Sequence, residues 1–223
     1  MVAREAGPTE AQASTARTRR TGECSGVGGR GGPSCAREKA RYVRRVITDP
    51  VRIRDASLED AGLLGELGAR TFRETFIEDF AMPYSEHDIA TFLPGAYGED
   101  VIRALLAAPS HRHLLAWQGP RAIGFALAGP VGLPHPDARA EDRELKRIYV
   151  VRDAQGTGAG RALFDAAMAW MHGEGARRVW LGVWSGNARA QRFYASRGFT
   201  KVGEYRFRVG ETLDHEHILR RDG

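Results

Sequence analysis

Between residues 144 and 184 the chain passes through a β-rich run, a glycine-dense turn, an amphipathic helix and a second, almost wholly apolar run. Glu144-Leu145-Lys146-Arg147-Ile148-Tyr149-Val150-Val151 leads directly into Gln155-Gly156-Thr157-Gly158-Ala159-Gly160-Arg161. Leu163, Ala166, Ala167, Trp170 and Met171 then share one helical stripe, and Gly173 and Gly175 end it. Residues 179–184 read as a strand buried on both faces. This order is a βαβ unit, whose strands are expected to be parallel and joined by a right-handed crossover. It places the chain in the α/β (α+β) class.

Upstream, Val51-Arg52-Ile53-Arg54 alternates as a short strand, and Ser57 caps a helix in which Leu63, Leu64, Leu67, Thr71, Phe72, Thr75 and Phe76 recur at three- and four-residue steps. A second helix over 85–93 is expected to break at Pro94-Gly95, and a third covers 99–106. Residues 113–117 and 122–128 form a hairpin through Gln118-Gly119-Pro120. The proline-rich stretch 129–142 reads as a loop. Trp117, Trp170, Trp180 and Trp184 are assigned to core and cleft packing.

Lys and Arg outnumber Asp and Glu by 33 to 28, a formal +5. Ten of those basic and five of those acidic residues lie in residues 1–50, so residues 51–223 are formally neutral. Nucleic acid is therefore not an expected partner of the folded part. Residues 1–47, with Gly26-Val27-Gly28-Gly29-Arg30-Gly31-Gly32 and few large apolar side chains, read as a disordered basic tail. Residues 48–223 suffice for one domain. No apolar run of about 18 residues exists, so no membrane-spanning helix is expected. Both cysteines, Cys24 and Cys35, lie in the tail, which leaves the body without a disulfide, a thiolate metal site or a cysteine nucleophile. A cytoplasmic setting is the expectation. His111-x-His113 and His215-x-His217 each set two imidazoles on one strand face, but no third ligand is visible and no metal is expected.

The glycine turn carries the chemistry. Glycines permit positive φ and let an anion approach the backbone, and the first amides of the following helix point at it. Arg161 adds a charge-assisted contact. A pyrophosphate site is the expectation. A P-loop would need Gly-Lys-Ser/Thr, which is missing, and a dinucleotide fingerprint needs a third glycine where Arg161 stands.

Gln155-x-x-Gly158-x-Gly160 resembles the acyl-CoA pyrophosphate motif of the GNAT superfamily of N-acetyltransferases, and Asn187-x-x-Ala190-x-x-Phe193-Tyr194-x-x-x-Gly198-Phe199 resembles its second motif at the expected distance. The resemblance spans about residues 51–220 and is tight over 144–199. Thr71-Phe72-Arg73-Glu74-Thr75-Phe76, Arg147-Ile148-Tyr149-Val150 and Trp180-Leu181-Gly182-Val183-Trp184 look like the bacterial spermidine/spermine N-acetyltransferase branch. The resemblance implies a mixed, mostly antiparallel sheet with flanking helices, in which two parallel strands splay into a cleft for acetyl-CoA, the cosubstrate. It gives the pantetheine arm to the strand segment Ile148, Tyr149 and Val150, through the backbone of Ile148 and Val150. The pyrophosphate goes to Gln155, Gly156, Thr157, Gly158, Ala159, Gly160 and Arg161. Asn187 would bond the pantetheine or cap its helix. Tyr194 matches a tyrosine that donates to the leaving thiolate, and Glu144, on the parity of Ile148 and Val150, matches a general base. The acceptor it implies is a small-molecule primary amine, a polyamine first; a protein N-terminus or lysine, and a non-catalytic acyl-CoA-binding regulatory module, are the alternatives. Dimers are common in the superfamily, so a homodimer is implied. Glu74, Glu78, Asp79, Glu86 and Asp88 lie in the segment that would overhang the acceptor and could attract a polycation.

An alkylamine with a pKa near 10.4 is unprotonated in about one molecule in 10³ to 10⁴ at neutral pH, a handicap of roughly 4 to 5 kcal/mol. A base or a water chain is therefore required. A phenol near pKa 10 would protonate a thiolate near 8.5 only at a cost of about 2 kcal/mol, so hydrogen bonding to the departing sulfur suits Tyr194 better. Without a body cysteine, direct attack in a ternary complex is favoured over an acyl-enzyme. A chain beginning at Thr48 is expected to keep full activity in a thiol-release assay, and loss of activity would show that the basic tail is needed.

Overall fold

The computed structural model describes residues 49–223. The expected tail, including Cys24 and Cys35, lies outside them. Seven strands form one sheet in the order β1-β2-β3-β4-β5-β7-β6. They are β1 (Val51–Asp55), β2 (Arg112–Gln118), β3 (Arg121–Pro130), β4 (Arg143–Val150), β5 (Arg178–Trp184), β6 (Thr200–Val209) and β7 (Thr212–Asp222). Every neighbouring pair is antiparallel except β4 with β5. The helices are α1 (Ala61–Phe72), α2 (Glu86–Tyr97), α3 (Glu99–Ala107), α4 (Ala159–Gly173) and α5 (Ala188–Ala195). The mixed sheet and flanking helices agree with the expected architecture.

Two expectations upstream need correction. The stripe from Leu63 to Phe76 is not one regular helix: α1 widens into a π-helical segment, Arg73–Asp79, where Phe80 N–H reaches back five residues to Thr75 O at 3.0 Å. Thr75 and Phe76 stay buried, and the extra residue in the turn carries Phe80 to within 4.7 Å of the Trp184 ring. Pro94-Gly95 also fails to break α2, which continues to Tyr97. Tertiary contacts outweigh the proline there. Arg147 of β4 donates to Ala96 O at 2.8 Å, satisfying a C-terminal carbonyl, and its guanidinium lies 4.8 Å from the centre of the Tyr97 ring.

The register of β3 with β4 decides which way the site residues face. Leu127 stands opposite Arg147 but Ala128 stands opposite Leu145, so Lys146 is an extra residue in β4. Such a bulge inverts the alternation beyond it. Glu144, opposite Gly129, therefore shares the face of Arg147 and Tyr149, whereas simple parity put it with Ile148 and Val150.

Close packing of α1 on α2 explains Gly68. A methyl group at this position would lie 2.2 Å from Tyr97 Cδ1, and the ring is held by Arg147. Gly68→Ala is expected to destabilise the fold by about 1–3 kcal/mol, the range for overpacking. Denaturant melts would check this, with an unchanged or raised midpoint contradicting the assignment.

Candidate active site

β4 and β5 are in register at only two positions, Arg143 with Val179 and Glu144 with Trp180. Beyond these the strands part, and β4 keeps a partner on one side only. Val151 N–H donates to Ile123 O at 2.9 Å while Gly124 stands opposite Val150. Main-chain groups alternate along an antiparallel ladder, so those of Tyr149 turn towards β3 and those of Ile148 and Val150 turn into the gap. An extended chain with amide groups can pair with them as an added strand would. Tyr149 is corrected accordingly. Its backbone is spent on β3, and its ring packs on Phe125 and Phe76 at centroid distances of 5.6 and 6.5 Å.

At the mouth of the gap the chain makes a short turn, Arg152–Ala154, and then the glycine loop. Gly156 and Gly158 have φ of 87° and 90°, and nothing lies within 4 Å of the point where a Cβ would stand on either. The positive φ disfavours an ordinary side chain, and the open space leaves the loop backbone accessible to a ligand. The amide of Ala162 is bonded to Gly158 O at 3.0 Å, whereas the three amides before it, at the start of α4, have no carbonyl one turn back within the helix. Ala159 N–H reaches Thr157 Oγ1 at 3.4 Å, and Gly160 and Arg161 border a cavity of about 270 Å³. Val150, Gln155, Gly156, Gly158, Gly160 and Arg161 line it, as do Ala154, Arg189, Ala190 and Phe193, which the sequence reading did not select for this role. Arg189 stands at a position the second motif leaves unspecified, and its place in the cavity wall and its 3.3 Å bond to Gln155 Oε1 reveal it. An open glycine cradle at a helix N-terminus with Arg161 and Arg189 beside it fits a diphosphate.

Three expected contacts build this cavity rather than line it. Thr157 Oγ1 donates to Ala154 O at 2.8 Å and closes the loop, and Ala159 is buried in the first turn of α4. Asn187 Oδ1 accepts from Ala190 N–H at 3.0 Å, so of its two suggested roles the capping one is formed.

Tyr194 is fully buried among Phe164, Phe193 and Phe199, with ring centroids 6.2, 5.4 and 5.8 Å away. Its hydroxyl has no hydrogen-bond partner among the described residues. Leaving such a group unpaired costs about 1–3 kcal/mol. Burial pushes the phenol well above its usual range, opposed in part by the Arg197 guanidinium. The group is a proton-retaining donor and unsuited to act as a base.

The opposite ladders define a second surface. Glu144 pairs with Trp180, and Trp184 pairs with Glu216, so these four side chains share one face of the sheet, joined by Asp214 two residues before Glu216. Glu144 and Glu216 are fully buried and Asp214 is 3 % exposed. Glu144 Oε2 accepts from Gly132 N–H at 2.7 Å and from Lys146 Nζ at 3.2 Å, and Tyr84 donates its hydroxyl to Asp214. Phe80 closes over Trp184. Four of the five acidic residues expected to overhang this region, all but Glu86, hold partners elsewhere. Glu78 and Asp79 hold the Arg152 guanidinium at 2.7 and 2.6 Å, and Glu74 accepts from Arg152 N–H at 2.8 Å. Asp88 caps α2 through Ser85 and accepts from Glu211 N–H. Glu216 and Asp214 were missed because β7 carries no motif; only the register with β5 and β6 discloses them.

Comparison with known proteins agrees with this geometry. Residues 70–199 match the Acetyltransferase (GNAT) family. An uncharacterized N-acetyltransferase of Mycobacterium tuberculosis is 34% identical over 170 residues, covering 74% of this chain and 99% of that protein. Another, from Lactobacillus delbrueckii subsp. lactis, is 33% identical over 155 residues, 67% of this chain and 86% of its own length. Among solved structures, the PaiA N-acetyltransferase of Thermoplasma acidophilum, in complex with coenzyme A, superposes with a TM-score of 0.62 at 21% identity, covering 78% of this chain and 99% of that one. No described helix is long and apolar enough to cross a membrane. With its parted parallel strands, its glycine cradle and this match over most of the domain, the chain belongs to the acetyltransferase (GNAT) family.

Proposed function

We propose that this acyl-CoA-dependent N-acetyltransferase transfers the acetyl group of acetyl-CoA to a primary amine of a small, cationic molecule, a polyamine first, by direct attack in a ternary complex. The single observation that carries the reading is the early parting of β4 from β5, which leaves the Ile148 and Val150 backbone facing a gap that ends at the Gly156–Gly158 cradle. A pantetheine arm pairs along that backbone, and the diphosphate rests on the loop with Arg161 and Arg189 as counter-charges. The thioester then lies between Glu144 and Tyr194.

Each residue has a defined task in this scheme. Glu144, directed to the acceptor face by the Lys146 bulge, removes the amine proton directly or through a water, which addresses the handicap of about 4 to 5 kcal/mol. The amide of Ile148 steadies the tetrahedral oxyanion. The Tyr194 hydroxyl, buried and proton-retaining, donates to the departing sulfur and so gains the partner it lacks. The cationic acceptor is favoured by Glu216 and Asp214, which bring two buried carboxyl groups to the face where it would lie. The stretches resembling the spermidine/spermine branch support the same choice. A peptide amine is the competing acceptor, and it needs an open groove where Phe80 and Tyr84 instead close over Trp184 and Asp214.

A thiol-release assay with acetyl-CoA over a panel of polyamines, monoamines and peptides tests the acceptor. Turnover with polyamines and a rise in KM for them in Glu216→Gln are expected, and peptide-only turnover would overturn the assignment. Tyr194→Phe is expected to bind acetyl-CoA as tightly as the parent and to lose about one to two orders of magnitude in kcat, the worth of a hydrogen bond to a charged group. Equal rates at every pH would remove the tyrosine from the mechanism. Glu144→Gln keeps the shape of the carboxylate and is expected to cost about 10²- to 10⁴-fold in kcat/KM with loss of the acidic limb of the pH profile. A profile of unchanged shape would leave Glu144 with a structural role only.

A further inference from the structure

The hairpin of β6 and β7 supplies what the histidine pair lacked in the sequence. His215 and His217 alternate on one face of β7, and the register sets Glu204 of β6 opposite His217. One ligand atom from each of Glu204, His215 and His217 lies within 4.8 Å of the other two. His215 Nε2 is 2.7 Å from Glu204 Oε2, and His217 Nε2 is 3.8 Å from Glu204 Oε1. The two imidazoles stand at 90° with centroids 5.6 Å apart. Around a tetrahedral zinc ion with bonds of about 2.0–2.1 Å, ligand atoms stand about 3.3 Å apart, and the separations of 2.7 and 3.8 Å bracket that spacing.

The electrostatics of the cluster suit a cation. Hydrogen bonds from Lys201 and then His215 hold the Glu204 carboxyl down to about 2, so it is ionised. Burial, then Lys201, lowers His217 from its usual value, opposed by Glu204. A register shift between Lys201 and Gly203 puts Lys201 on the same face, and its ammonium already sits on Glu204. That ammonium marks the position as one that attracts positive charge. None of these residues lines the cofactor cavity or takes part in the acetyl transfer.

We propose that Glu204, His215 and His217 form a binding site for a divalent transition metal, zinc first, with two imidazoles and one carboxylate as ligands and Lys201 as the cation it displaces. Nitrogen donors favour zinc, nickel or copper over magnesium or calcium. His215 O accepts from Ser185 N–H at 3.0 Å, so the site adjoins the turn that leads from β5 into α5, the helix of Tyr194.

The test is a calorimetric zinc titration of the full chain carrying Cys24→Ser and Cys35→Ser, which removes the tail thiolates as competing ligands. One ion per chain is expected, together with the visible absorption of a low-symmetry cobalt complex when Co²⁺ is the probe. His217→Ala and Glu204→Gln are each expected to weaken binding by more than about tenfold, and Lys201→Met to tighten it. Melting curves without metal establish that the variants fold, and His215→Asn serves where His217→Ala does not. Absence of zinc binding, or an affinity that neither folded ligand variant changes, overturns the proposal.

Discussion

Two hydrogen-bonded positions hold β4 to β5, and the site depends on there being no more. A parallel pair held over its full length would satisfy its own backbone and offer a ligand nothing. Here the sheet stays continuous at one end, through Arg143, Glu144 and their partners, and opens at the other. The cost of an open ladder is met by apolar side chains that cover both faces of β5, where Val179, Trp180, Leu181 and Val183 are almost fully buried. Packing keeps the strands in place where hydrogen bonds do not. The gap is therefore a built feature with rigid walls, and its free amides and carbonyls are presented in a fixed direction.

The bulge at Lys146 does comparable work on the side chains. One additional residue sends Glu144 to the face of Arg147 and Tyr149, away from Ile148 and Val150, and so divides β4 into a backbone that faces the gap and a carboxyl on the face of Trp180 and Glu216. Arg147, on the same face, ties the end of α2 to the sheet. A single strand thus forms one wall of the gap, sets the direction of Glu144 and ties α2 to the sheet.

Much of this was legible in the residues. The βαβ unit, the cradle at Gly156 and Gly158 and the cap at Asn187 follow from local spacing and turn chemistry, which act over a few residues. The parts that were not legible depend on pairing between distant segments. Lys146 looks like any strand residue until β3 is laid against it. Arg189 and Glu216 acquire meaning only beside Gln155 and Trp184. The π-helical widening after Phe72 likewise preserves the burial of Thr75 and Phe76 while altering the turn that carries them, a change the apolar pattern does not encode.

Arg152 follows β4 and stands three residues before Gln155, and its amide and guanidinium together reach Glu74, Glu78 and Asp79 in the π-helical segment. It therefore ties the turn that leads into the glycine loop to the segment that carries Phe80 over Trp184. Because the contacts are half exposed, mobile ions screen them. How firmly the glycine loop is tied to the π-helical segment therefore varies with the ionic strength of the surroundings.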